Sequence, residues 1–250
     1  MISRIALCAL AVGLVGSRTA PVHAAEKNGE PSYASPQHFA VEFKLGPYAP
    51  NIDSEFGGSA TPFKDIFGDG TGLMIRGELD YQFWGGFGSI GAGLQLGYYG
   101  KSAQALQDTG SGGGTAASAG ETGITLFPIS LLAVYRFDVL AKRFKVPLVP
   151  FAKFGLNYTR WWIFKGDGGV ASFEGHKAAG GTFGWQVNLG GALLLDIFEP
   201  SAAKNLDNEL GINHTYLFFE FQHIASDGLG AKHALRVGAT TWQAGLAFEF

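Results

Sequence analysis

The sequence predicts an all-β fold: a closed, antiparallel, up-and-down transmembrane β-barrel of about eight strands. Three observations predict it. Apolar and polar residues alternate with a two-residue period, which is typical of strands with two different faces. Most predicted strands have about 10 to 15 residues, whereas globular strands have about 5 or 6 and a tilted membrane strand needs ~9–11. After residue 24, no segment reaches the roughly 18 apolar residues of a membrane-spanning helix.

Eight segments carry the alternation. Four of them show it clearly: 39–45, 73–83, 88–98 and 183–197. Four show it less regularly: 123–137, 149–162, 214–224 and 236–250. Pro128 has no backbone N–H to donate, so we expect a bulge or a strand rim near it. A ten-stranded barrel is the nearest alternative, because residues 46–72 could contain a further hairpin.

The N-terminus has the features of a signal peptide, residues 1–24. Arg4 provides the positive charge, residues 5–16 form a short apolar run, and Val22-His23-Ala24 gives a cleavage pattern. Residues 25–38 are then a periplasmic N-terminal segment and residues 39–250 the barrel. Cleavage would remove Cys8 and two arginines, so the formal net charge would move from −3 to −5. Thiol chemistry and nucleic-acid binding are therefore not expected.

The connections between the predicted strands alternate in length. The long ones are 46–72, 100–122, 163–182 and 225–235; the shorter ones are 84–87 and 138–148. Outer-membrane barrels have long external loops and short periplasmic turns, and an even strand number leaves both termini in the periplasm. The connection 198–213 is long for such a turn, and residues 200–206 could form a short helix. The Gly- and Ala-rich stretch 109–120 predicts a mobile external loop.

The polar strand faces predict a charged lumen. An eight-stranded barrel has an interior just wide enough for side chains to fill it, and buried charges there must pair. The candidate lumen network is Glu42, Lys44, Arg76, Glu78, Asp80, Arg136, Lys153 and Glu220. Room for these side chains would come from Gly91, Gly93, Gly97 and Gly190. Two alternatives are a water-lined pore and the solvated sheet face of a soluble protein.

Aromatic residues near the predicted strand ends indicate interfacial girdles. They are Phe83, Trp84, Phe87, Tyr98, Tyr99, Trp161, Trp162, Phe164, Phe248 and Phe250. The last strand places Trp242, Leu246, Phe248 and Phe250 on one face and ends on the terminal Phe. This pattern resembles the C-terminal assembly signal of bacterial outer-membrane barrels.

The resemblance extends to the rest of the predicted barrel. Residues 41–48 and 62–70 are similar to a family of small outer-membrane barrels in myxobacteria, and the strand plan of 39–250 resembles outer-membrane-protein-A/X-like barrels. It implies the cell outer membrane of a Gram-negative type of envelope as the location. It implies outer-membrane lipid, lipopolysaccharide and the barrel-assembly machinery as partners. A monomer is expected, and the resemblance implies no activity.

Catalytic and metal-binding patterns are weak. His223 lies near Ser226 and Asp227, but neighbouring residues in a turn rarely form a Ser–His–Asp arrangement. Asp-Gly pairs such as Asp69-Gly70 are chiefly turn signals. We therefore expect no enzyme activity, no cofactor and no metal.

Three functions remain open on the sequence. The first is a structural or surface-interaction role through loops 46–72, 100–122 and 163–182, for a ligand the sequence does not identify. The second is a narrow channel for small solutes, and the third is a lipid-modifying enzyme.

Overall fold

The computed structural model describes residues 38–108, 115–173, 175–231 and 234–250. The predicted signal peptide, residues 1–24, lies outside the described residues, as does the predicted periplasmic segment up to residue 37. The tip of the predicted mobile loop, residues 109–114, also lies outside them.

Eight long strands close into one antiparallel barrel, which confirms the predicted fold and strand number. Their bounds are β1 Phe39–Tyr48, β2 Gly72–Gly86, β3 Gly88–Asp108, β4 Thr115–Arg136, β5 Leu148–Lys165, β8 Ala179–Leu194, β9 His214–Ser226 and β10 Ala239–Glu249. Two short strands, β6 Ser172–Phe173 and β7 His176–Lys177, form a separate hairpin. Each barrel strand pairs with its neighbours along the chain, and β1 pairs with β10 from Ala40↔Glu249 to Leu45↔Ala244. Both ends of the barrel chain therefore meet at one rim, called here the turn end.

Helices occupy three of the connections. The β1–β2 connection holds a 3-10 helix, Ile52–Phe56, and α1, Pro62–Phe67, so it does not form the hairpin of the ten-stranded alternative. The helix α2, Val139–Phe144, joins β4 to β5. The helix α3, Pro200–Leu210, begins with proline as predicted and continues four residues further. No helix in the described part of the chain is long and apolar enough to span a membrane.

Two predictions about β3 and β4 were wrong. Residues 100–108 and 115–122 are strand rather than loop, and the two strands pair as far as Asp108↔Thr115. Mutual backbone pairing orders this hairpin without the apolar alternation that marks a strand in the sequence. Pro128 lies within β4 without a register shift, since the same β3–β4 register holds on both sides of it. Gly97 opposite leaves room for the proline ring: a Cβ there would lie 2.8 Å from Pro128 Cγ.

An apolar band encircles the outer face of the barrel. Large exposed apolar residues occur on all eight strands, and Phe43 (60%), Leu131 (62%) and Phe154 (59%) are among the most exposed. On β5, the outward positions from Leu148 to Tyr158 are all apolar or aromatic. Ten residues at ~3.3 Å rise and ~40° tilt give about 25 Å, the height of the apolar band of outer-membrane barrels.

The predicted aromatic girdles are only partly realised on this band. Phe83, Trp84, Phe87 and Tyr98 are exposed, whereas Tyr99 is buried in the barrel interior and Trp161 packs against the apolar cluster there. The two exceptions follow from alternation. Tyr98 and Trp162 point outward. The adjacent residues Tyr99 and Trp161 must therefore point inward, because side chains alternate along a strand.

Candidate functional site

All eight predicted lumen residues point into the barrel and are buried. Their exposed fractions range from 0% for Asp80 and Glu220 to 5% for Arg136. They come from β1, β2, β4, β5 and β9, because the inward positions of these strands carry the charges. A carboxylate or ammonium group at such a position loses its hydration, so it needs charged or hydrogen-bonding partners inside the barrel.

Three cations connect the carboxylates. Lys153 Nζ lies 2.6 Å from Glu42 Oε2 and also contacts Glu78. Lys44 Nζ lies 2.7 Å from Glu78 Oε2 and 3.1 Å from Glu42 Oε2 and from Glu220 Oε1. Glu42 is therefore the centre of the network, because Arg136 Nη2 also lies 2.6 Å from its Oε1.

The carboxylates of Glu42, Glu78 and Asp80 converge within 4.8 Å of one another, as metal ligands would. Their oxygens already face cationic side chains: Arg136 Nη2 is 3.3 Å from Asp80 Oδ2, and both lysines contact Glu78. Protein cations thus supply the positive charge that a metal ion would bring, and the cluster forms a salt-bridge network.

The network reaches all eight barrel strands through three residues that the sequence reasoning did not include. Gln95 on β3 donates to Glu78 at 2.7 Å, and Asn188 on β8 donates to Glu220 at 3.1 Å. Glu249 on β10 pairs with Arg136 at 3.0 Å and accepts a hydrogen bond from Tyr216 at 2.9 Å. The alternation of inward and outward side chains is enough to predict the position of Glu249. If Phe248 and Phe250 face outward, the residue between them faces the lumen.

Arg76 differs from the other predicted lumen residues. Its side chain is buried, yet no ion pair or hydrogen bond joins its guanidinium to the described residues. Its guanidinium lies over the ring of Tyr48, whose centroid is 5.7 Å from Cζ. Gly97 makes room for this side chain as predicted, because a Cβ there would lie 3.1 Å from Arg76 Cγ.

Two of the other three glycines also face charged side chains. A Cβ on Gly93 would collide with the Asp80 carboxylate, and a Cβ on Gly190 would lie 2.8 Å from Glu220 Cβ. Gly91 faces the backbone of Tyr81 instead, so the prediction was wrong for this glycine.

A chain of neutral polar side chains continues from the charges. Gln186 donates to Asn188 and to Gln95, both at 3.0 Å, and accepts from Ser130 at 2.8 Å. Asn157 donates to Ser130 at 2.9 Å. These side chains satisfy one another's hydrogen-bonding groups in the buried interior. A buried polar group without a partner would cost about 1–3 kcal/mol.

Apolar clusters flank the polar interior on both sides. Towards the loop end the cluster is Tyr48, Ile52, Phe63, Met74, Tyr99, Ile124, Leu126, Ile224, Val237 and Ala239. Towards the turn end it is Val149, Phe151, Ala192, Tyr216, Phe218 and Ala247. The lumen is thus filled by side chains in its described part, with charges in the middle and apolar packing above and below.

Two loops cover the barrel mouth at the loop end. Val237 is fully buried, and its carbonyl accepts a hydrogen bond of 2.5 Å from the Tyr48 hydroxyl. The carboxylate of Asp53 accepts hydrogen bonds from the backbone N–H groups of Phe63 (2.7 Å) and Lys64 (3.1 Å), which fixes the start of α1. The connections 49–71 and 227–238 are therefore packed segments in their described parts and not free loops.

A cleft of about 560 Å³ lies between these two connections. Its polar lining includes Lys64, whose pKa is raised above its usual value by a hydrogen bond and ion pair with Asp69 at 2.8 Å. Asp227 and Arg236 also line it, and Arg236 donates to the carbonyl of Ser54 at 3.4 Å. The cleft carries both signs of charge, so charge alone does not select one ligand class.

The structure separates the residues of the possible catalytic arrangement. Ser226 points into the barrel, is 1% exposed and donates to Asn157. His223 lies on the outer face of the same strand, where its Nδ1 is 2.7 Å from Thr240 Oγ1. Residues three apart on a strand point to opposite faces, so His223 cannot act as a base for Ser226.

Of the predicted assembly-signal residues, Trp242, Leu246 and Phe248 lie on the outer face of β10, and Phe250 directly follows the strand. Trp242 is 46% exposed and Leu246 41%, while Phe248 and the terminal Phe250 are partly exposed. Trp242 stacks on Phe219 of β9 with ring centroids 5.7 Å apart. These side chains therefore form part of the apolar band.

The fold and its interior define a closed eight-stranded β-barrel with a filled, charged lumen. No protein-family model matches the chain, and no curated protein matches it. Among solved structures it is similar to Neisserial surface protein A (NspA), at 12% identity, covering 86% of this chain and 97% of that one, with a TM-score of 0.47.

It is also similar to Ail, the attachment invasion locus protein of Yersinia pestis, solved with the heparin analogue sucrose octasulfate. Here the identity is 9%, the coverage 86% and 97%, and the TM-score 0.43. A third is the N-terminal β-barrel domain of Pseudomonas aeruginosa OprF, at 11% identity, 86% and 100% coverage and a TM-score of 0.42. These likenesses assign no residue role and no ligand to this chain.

Proposed function

We propose that this protein is an integral β-barrel of the bacterial outer membrane with a structural or surface-interaction role. The observation that carries the proposal is the inverted arrangement of its two faces. A soluble protein buries its large apolar side chains, whereas here Phe43, Leu131 and Phe154 are outside and the charges are inside. Lipid is the solvent that favours this arrangement, and a closed barrel leaves no backbone group unpaired in it.

Export and orientation follow from the same proposal. The segment 1–24 acts as the signal peptide, and 25–38 remains in the periplasm. The barrel-assembly machinery reads the last strand, with Trp242, Leu246, Phe248 and Phe250, and inserts a monomer among outer-membrane lipid and lipopolysaccharide. The loop end then faces the outside of the cell.

The surface role belongs to the β3–β4 hairpin and the covered mouth. β3 pairs with β2 only as far as Tyr99, and β4 pairs with β5 only as far as Thr122. Beyond these residues β3 and β4 pair with each other as far as Asp108↔Thr115, so the hairpin extends past the strands on either side of it. The hairpin is therefore the part of the barrel best suited to an external partner.

The proposal is tested by heat-modifiability on a gel of washed outer-membrane fractions. A closed barrel resists detergent when unheated and migrates differently after boiling. The expected result is a shift, with the protein in the membrane pellet. The same migration in both lanes, with the protein in the soluble fraction, would contradict the membrane location.

Orientation is tested by adding a protease to intact cells. Cleavage within 100–122 without prior lysis is expected if the hairpin is outside. Cleavage only after lysis would put it in the periplasm and remove the surface role.

The other two functions are not favoured by a specific observation. A channel requires an open path, whereas the described lumen is filled, so planar bilayers should show no stepwise conductance. A lipid-modifying enzyme requires a nucleophile and a base in reach, and Ser226 and His223 lie on opposite faces.

A further inference from the structure

Arg160 is a cation on the outer face of the barrel. It is exposed, and it takes the next outward position on β5 after Tyr158, the last residue of the apolar band described above. Its Cζ lies 5.7 Å from the ring centroid of Trp162, the next outward residue on the strand. The arginine thus sits at the boundary of the band that is nearer the loop end, beside an aromatic residue of the kind that marks a membrane interface.

No carboxylate faces Arg160 from the neighbouring strands. Its cross-strand partners are Phe127 on β4 and Gly181 on β8. The adjacent outward positions on those strands are Thr125 and Ile129 on one side and Ala179 and Phe183 on the other, and none is acidic. Among the described residues Arg160 has neither an ion pair nor a hydrogen bond through its side chain.

Two further hydrogen-bonding residues, Tyr158 and Trp162, flank Arg160 at the outward positions of β5. A Cβ on Gly181 would collide with the Tyr158 hydroxyl, so that hydroxyl lies beside the residue directly opposite Arg160. The indole N–H of Trp162 has no recorded partner among the described residues. A planar guanidinium, a hydroxyl and an indole N–H thus present hydrogen-bond donors along one strand face.

We propose that Tyr158, Arg160 and Trp162 bind the phosphate group of a lipid in the outer leaflet. The inference rests on the proposed outer-membrane function. A guanidinium at the edge of the hydrocarbon layer needs an anion to offset its partial loss of hydration, and lipid phosphates lie at that depth. The guanidinium fork matches two phosphate oxygens, and Tyr158 and Trp162 donate to the others.

The test measures lipid binding to the folded full-length barrel in neutral detergent by native mass spectrometry. The probes are phosphatidic acid and a diacylglycerol with the same acyl chains, which lacks only the phosphate. Wild type should retain phosphatidic acid over diacylglycerol. Arg160→Gln should weaken phosphatidic acid binding about tenfold, since a charge-assisted hydrogen bond to phosphate is lost.

Two substitutions sharpen the test. Arg160→Lys keeps the charge but not the fork, so it should recover part of the binding. Arg143→Gln removes an exposed arginine from α2, away from this patch, and should leave binding unchanged.

The inference is overturned if Arg160→Gln binds phosphatidic acid as well as wild type, or if Arg143→Gln weakens binding equally. It is also overturned if inorganic phosphate displaces the lipid at equal concentration, because the site would then be one for free phosphate. Heat-modifiability of each variant separates these results from a failure of the proposed function: an unshifted wild type would remove the membrane barrel itself.

Discussion

Replacing Glu42 by Gln should destabilise the barrel more than any other single loss of a carboxylate, because this side chain contacts three cations. Its oxygens lie 2.6 Å from Lys153, 2.6 Å from Arg136 and 3.1 Å from Lys44, and it is 2% exposed. Removing one partner of a buried pair costs about 3–5 kcal/mol. The other carboxylates still contact these cations, so we expect the lower end, about 3 kcal/mol.

The free energy of unfolding is measured by denaturant titration in detergent micelles, with tryptophan fluorescence and the gel shift as two readouts. Glu55→Gln is the matched control, because Glu55 is exposed on the 3-10 helix, and it should change stability by no more than about 0.5 kcal/mol. Equal stability of the two variants would refute the reasoning.

A double-mutant cycle isolates the interaction between Glu42 and Lys153. Lys153→Met alone leaves Glu42 and Glu78 without one of their cations. When Glu42→Gln is added, one of the unpaired carboxylates is removed. The double variant should therefore be less destabilised than the sum of the single variants by about 1 kcal/mol or more. Strict additivity would show that the two residues do not interact.

Two further predictions use matched pairs. Phe43→Lys on the apolar band should cost about 2–4 kcal/mol if that face meets lipid, whereas Phe56→Lys on the 3-10 helix should be near neutral; a neutral Phe43→Lys would indicate that water covers this face. Gly245→Ala should cost about 1–3 kcal/mol, because its Cβ would collide with the Phe43 carbonyl and lie 2.8 Å from Lys44 Cα. Gly85→Ala, which has open space around its Cβ, serves as control, and equal unfolding midpoints would contradict the packing argument.

The alternation of residue types was sufficient to predict the barrel and the placement of its charges. Residues 73–83 alternate so regularly that the inward positions of β2 follow from the sequence alone. The extension of β3 and β4 to Asp108↔Thr115 did not follow, because 100–122 has few large apolar residues and its strands are held by each other. Backbone pairing of this kind depends on a partner elsewhere in the chain.

The sequence predicts which residues line the lumen better than it predicts which of them contact one another. Sequence parity puts Arg76 inside the barrel, but only the register across β1, β2 and β3 decides that it faces Tyr48 rather than a carboxylate. Glu249 was missed for a different reason. The C-terminal pattern that predicts an assembly signal consists of the outward residues of the strand, and Glu249 lies between two of them.

The internal charges also specify the register of the strands. A slip of one residue in β1 would turn Glu42 and Lys44 towards the outer face, which is proposed to meet lipid, and Phe43 and Leu45 into the lumen, because side chains alternate between the faces. A lysine near the middle of the bilayer costs ~2–4 kcal/mol, so each misplaced charge adds a penalty to the slipped form. The network therefore discriminates between registers even where its net contribution to stability is small.

The charges affect the folding yield by penalising a wrong register, separately from their effect on the stability of the folded barrel. The Glu42→Gln/Lys153→Met variant lacks two of the charges that penalise a slip, so a smaller fraction should refold to the heat-modifiable form than in wild type. The folded fraction should nevertheless unfold at a denaturant concentration closer to wild type than the sum of the two single effects predicts. An unchanged refolding yield would show that the apolar band and the turns alone set the register.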